Sequence, residues 1–222
     1  MNIARRLVSF ALAATLFAPA VAGARSWATP PPSEAPPPVT KLEMAPEPVA
    51  MPSRAAVRTA LAANRTANLA RFHAYREGGV YPHNVVALGR ITDGPRASAN
   101  IWLDGDGHFC AAATMIRGSG AVELVDRVAV DDNFVQLADV TAGPLMDWML
   151  TSGLTQEEVA LIQEPFMEVD RQAEVITEDR RLAARYVVVE RQVKRQARAS
   201  LTVATDRLMA YPALAAALVA GT

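Results

Sequence analysis

From Leu182 onward, apolar residues recur at spacings of three and four: Leu182, Tyr186, Val189, Val193, Ala197, Leu201, Ala204 and Leu208. That period predicts a single buried stripe along a helix of about nine turns. Thr177 is the expected cap, with Glu178 and Asp179 against the positive end of the dipole. Pro212 stops the helix, and the apolar tail Ala213 to Ala220 is too short to span a bilayer. A stripe this long needs cover, from the rest of the domain or from a second copy, so self-association through the long helix is one expected outcome.

The same period appears near the start of the domain. Arg54 to Arg76 reads as a helix with Val57, Leu61, Leu69 and Phe72 on one side, Ser53 as its cap and Gly78-Gly79 as its end. Further helices are predicted at Ala121 to Val130, Pro144 to Ser152 and Thr155 to about Gln163. The last opens on a capping box formed by Thr155 and Glu158. The pair joined through Gly153-Leu154 has a helix-turn-helix outline, with Met146, Trp148, Met149 and Met167 as a soft apolar set whose default place is the core. Only Tyr81 to Ile116 reads as sheet. Asn84 to Leu88 and Ala99 to Leu103 are short β-prone runs separated by the turn Thr92-Asp93-Gly94-Pro95, and Asp104-Gly105-Asp106-Gly107 is a second turn. Cys110 to Ile116 reads as a helix stopping at Gly118-Ser119-Gly120, with a strand as the alternative. The expected fold is mainly α, with α+β possible: a helical domain, a small β-hairpin element around residues 84–110, and a long C-terminal amphipathic helix.

The N-terminal quarter carries a different pattern. Arg5 and Arg6 precede an apolar run from Leu7, and Ala22-Gly23-Ala24 offers the small residues that signal peptidase reads, so residues 1–24 are expected to be a cleaved export signal. Residues 25–53 hold nine of the chain's 15 prolines. They read as an extended, disordered spacer, because proline removes amide donors and disfavours the helix before it. The globular domain then occupies residues 54–222. These features place the chain in the periplasm or outside the cell, with the membrane involved only through the export signal.

Composition narrows the classes. With 22 basic and 23 acidic residues the chain has no net charge to spend on nucleic acid, and the second helix of the pair presents Glu157 and Glu158 where a DNA reader needs donors. One cysteine excludes a disulfide scaffold. Cys110 is the sharpest enzymatic candidate, because a thiol at a helix start is activated by unpaired amides, and His108, His73 or His83 could serve as its base. Its apolar neighbours, Phe109 and three alanines, favour simple packing. The histidines and cysteine show none of the short spacings of metal sites, and the acid-glycine turn lacks the ligand order of a calcium loop, so neither a metal nor a cofactor is predicted. No phosphate-binding loop or nucleophile elbow is present.

Charge reveals a second candidate surface. Arg180, Arg181, Arg185, Arg191, Lys194, Arg195 and Arg198 crowd one stretch of the long helix against Glu190 alone. They form either a solvated outer face or a docking strip for an anionic envelope component or protein. The pattern Asp104-x-x-Gly107-x-x-Cys110-Ala111, with Ser119-Gly120, Trp148, Gly153-Leu154-Thr155 and Ile162-Gln163, resembles a recurring type of bacterial exported domain. That resemblance covers under a third of the chain and implies no activity. The leading expectation is an exported binding or structural module, and the alternative is a thiol-dependent hydrolase or transferase using Cys110 and a histidine.

Overall fold

A computed structural model of the chain describes residues 50–85 and 98–221. The segment expected to direct export, most of the proline-rich stretch and the expected turn at Thr92–Pro95 lie outside these residues. Seven helices and three short strands are present among them: α1 (Arg54–Gly78), β1 (Asn84–Val85), β2 (Ser98–Ala99), α2 (Ala111–Gly118), α3 (Val122–Asp131), α4 (Pro144–Thr151), α5 (Gln156–Ile162), β3 (Phe166–Val169), α6 (Gln172–Met209) and α7 (Pro212–Ala220). The protein is mainly α with a small sheet.

The two long helices form the frame. Arg54 pairs with Asp206, Arg58 bonds Thr202, Arg65 reaches the Val193 carbonyl, and Arg76 meets Glu190, so α1 and α6 run antiparallel. Ser53 caps α1 by accepting from the Ala56 amide, and Gly79 closes it in the left-handed region at φ 63°. At the end of this frame Phe72, Tyr75, Tyr81 and Tyr186 meet ring to ring at 5.5–5.6 Å, which adds aromatic contact to area burial.

The stripe on α6 is covered by the domain itself. Leu182, Tyr186, Val189, Val193, Ala204 and Leu208 are buried, and α1, α4, α5 and α7 pack against this helix. The helix starts at Gln172, five residues before the expected cap. Thr177 is inside it, its hydroxyl donating back to the Ala173 carbonyl, so the capping chemistry is spent on the preceding turn. With 38 residues it extends about 57 Å. Among the described residues no single helix is long and apolar enough to cross a membrane.

The sheet corrects the sequence reading. Phe166–Val169 was not expected to be a strand, yet β3 is the central one. β1 pairs with it in parallel (Asn84 with Glu168, Val85 with Val169) and β2 antiparallel (Ser98 with Met167, Ala99 with Phe166), so among the described residues the two β-prone runs flank β3 rather than pair with each other. A strand of four residues after Pro165 carries too few alternations to stand out, and only the partners on both sides fix it. The predicted turn at Asp104–Gly107 does join an antiparallel bridge, Leu103 to Phe109. Trp102 anchors it: the indole donates to the Val125 carbonyl at 3.0 Å, and the backbone bonds Asn133 and Cys110. Cys110 to Ile116 resolves as helix, with Cys110 at the cap of α2.

Candidate functional site

The Asp104–Gly107 turn is built by one carboxylate. Asp104 Oδ1 accepts from the amides of Asp106 (3.0 Å) and His108 (2.8 Å), while Oδ2 accepts from the amide of His83 (3.1 Å) and lies 3.3 Å from His108 Nδ1. Gly107 supplies the left-handed residue the turn requires, at φ 87°. Because the His83 amide is one of the donors, the segment leading into β1 is tied to the turn 21 positions later. His83, Asp104, Asp106 and His108 thereby each offer a ligand-type atom, all within 4.8 Å of one another. His83 Nε2 also lies 3.0 Å from Asp179 Oδ1, on the first turns of α6. A surface cleft of about 480 Å³ opens beside the group, lined in part by Asn84, Asn133 and Phe134.

His83 and His108, which the sequence offers as bases for the thiol, belong instead to this group. The group takes one histidine from a distant segment and two carboxylates from a turn, a combination that short spacings among histidines and cysteine do not record. The Asp104–His108 spacing of four was the available signal.

Cys110 stands apart from this group chemically. Its side chain is fully enclosed, and Sγ accepts from the Ala113 amide. Burial pushes the thiol up to about 12, outweighing the amides at the start of α2 that pull it down. Among the described residues each histidine is bonded to a carboxylate and none to Cys110: His83 to Asp179, His108 to Asp104, and His73 to Glu190 at 3.1 Å. Native protein is expected to resist iodoacetamide at about pH 8, near the ordinary thiol range, and to be labelled at Cys110 only after unfolding in urea. Rapid labelling of the native state, read by intact mass, would restore a reactive thiol.

His73 belongs to a surface network. Glu190 accepts from Arg76 and Lys194 as well, and although burial works to raise its carboxyl, these two cations hold it below the usual range. The basic residues of α6 divide by partner. Arg181 and Arg185 are half-buried and bind Glu164, Arg181 also bonding Glu178 and the Pro165 carbonyl. Lys194 binds Glu190. Arg180, Arg191, Arg195 and Arg198 are exposed, and their side chains have no ion pair or hydrogen bond among the described residues.

Comparison with protein-family models, curated proteins and solved structures returned no match.

Proposed function

We propose that this chain is an exported module of the cell envelope that docks a phosphate-bearing polymer on the outer face of α6. The observation that carries the reading is the placement of the four unpartnered arginines. At about 100° per residue, Arg180, Arg191, Arg195 and Arg198 fall within an arc of about 60°, opposite the stripe that packs into the core. They span about 27 Å along the axis. A guanidinium matches phosphate with two parallel donors, and a line of four such groups suits an extended polyanion. The apolar residue within this arc between Arg180 and Arg198 is Ala184, with Val188 about 20° beyond its edge, both too small to wedge into a bilayer. Export is supported by the order of charged, apolar and small residues at the N-terminus, followed by the proline spacer.

Long-chain inorganic polyphosphate on a column is the probe. The protein is expected to be retained at about 0.05 M salt and released as screening shortens the interaction range. The triple variant R191E/R195E/R198E should pass unretained, with each substitution moving stability by no more than about 0.5 kcal/mol because none of these side chains has a partner to lose. Equal retention of the variant would overturn the reading. Capture by anionic phospholipid vesicles but not by polyphosphate would make this face a membrane contact instead.

A further inference from the structure

We infer that His83, Asp104, Asp106 and His108 form a binding site for one divalent transition-metal ion of the zinc class. The turn itself needs only one side chain of this set. Its hydrogen bonds use the Asp104 carboxylate and main-chain amides, which leaves the Asp106 carboxylate without a hydrogen bond among the described residues. Two imidazoles and two carboxylates nonetheless converge with their ligand-type atoms within 4.8 Å. Around a tetrahedral zinc ion with bonds of about 2.1 Å, donor atoms lie about 3.4 Å apart, so closure asks for shifts of about 1 Å. Asp106 is exposed and His108 half-buried, so both have room to make that shift.

The donor types choose the ion. Calcium takes six to eight oxygen ligands, which a set with two imidazole nitrogens does not provide. Imidazole with carboxylate and no thiolate suits zinc and its neighbours in the first transition row. His83 is already oriented by a carboxylate outside the set: Asp179 holds its Nε2 at 3.0 Å, the arrangement that fixes ring direction in metal-bound histidines. Four protein donors make a closed, structural site. The ligands bracket residues 84–103 in sequence, so the ion would clip the two ends of that segment together and, through Asp179, to α6.

The test uses the full chain stripped of metal, titrated with Zn²⁺ and with Co²⁺. One equivalent of either is expected to bind, Zn²⁺ raising Tm and Co²⁺ giving the visible bands of a low-coordinate nitrogen–oxygen site. Asp106→Asn should abolish the Co²⁺ bands while leaving the metal-free Tm unchanged, because its carboxylate holds nothing in the fold. Asp179→Ala should weaken Zn²⁺ binding about 10- to 100-fold. His73→Ala should change neither affinity nor spectrum. Absence of a saturable equivalent, unaltered binding in both Asp106→Asn and His108→Ala, or Ca²⁺ binding as tightly as Zn²⁺ would each overturn the site. None of these outcomes bears on the arginine face of α6, which is tested separately.

Discussion

Gly153→Ala is expected to destabilise the domain by at least about 3 kcal/mol, and to leave much of the protein unfolded at working temperatures. Two costs combine. Gly153 sits at φ 76°, where a side chain costs about 1–2 kcal/mol. A Cβ there would also stand 2.0 Å from the Leu61 carbonyl oxygen and 2.7 Å from the Arg65 amide, both main-chain atoms of α1 that cannot rotate away. Relief requires the α4–α5 turn to lift from α1, breaking the contacts that seat the hairpin. Gly79→Ala is the control, because Gly79 shares the left-handed geometry at φ 63° but has nothing within 4 Å of the added atom. It should cost only about 1 kcal/mol. Urea denaturation of the two variants side by side isolates the close approach, and equal midpoints would mean that α1 and the turn are not in contact.

Arg65→Met and Glu158→Met are each expected to cost about 3–5 kcal/mol, whereas the double variant should be no worse than either alone. The pair is bidentate, Nη1 to Oε2 at 2.7 Å and Nη2 to Oε1 at 2.8 Å, with both side chains only 4% exposed. Removing one partner leaves the other charge buried with no counterion. Removing both substitutes a thioether packing contact of similar volume. The same guanidinium donates to the carbonyls of Gly153 (3.1 Å) and Val193 (2.7 Å), and Glu158 accepts from the Thr155 amide and the Ser200 hydroxyl. One ion pair therefore ties α1, the α4–α5 turn, α5 and α6. Those lost bonds keep the double variant below wild type. At 2–4 °C per kcal/mol for a domain of this size, either single variant should melt roughly 6–20 °C lower. A double-mutant cycle with a coupling under about half a kcal/mol would show that the pair is not a joint anchor.

Both features were partly legible in the chain. Gly153 reads as a helix stop, and its left-handed φ agrees; that α1 passes within contact of it does not follow from any local pattern. Glu158 reads as the third residue of a capping box, which it is, since Thr155 and Glu158 exchange both bonds. Arg65 falls on the α1 face between Leu61 and Phe72, together with Asn68, and a charged residue on an apolar stripe was the signal that it would need a buried partner. The functional groups were read less well. Proximity in sequence and chemical habit point the three histidines at Cys110, yet each is bonded to a carboxylate instead, His73 and His83 to one on α6 and His108 to Asp104 of its own turn.

What the sequence determined by itself was the helices α1 to α6 and their apolar faces, but not α7, which reads only as an apolar tail, because period, caps and stops act over a few residues and are written in neighbouring side chains. Thus α1, α2, α4 and α5 stand within a residue or two of their expected places, and the stripe on α6 is buried except at Ala197 and Leu201, which are half-buried. Tertiary structure alone decided the rest. β3 is a strand because β1 and β2 flank it, α6 begins at Gln172 rather than at Thr177, and His83 meets Asp104 because a main-chain amide from one segment satisfies a carboxylate from another. Charge divides between the two: the Arg181–Glu178 and Lys194–Glu190 pairs lie one turn apart on α6 and follow from its period, whereas Glu164, which Arg181 and Arg185 both bind, reaches them only through the packing of its segment against α6. Hydrogen bonds and ion pairs between separate elements join residues far apart in the chain, and no local period records which partner each will find.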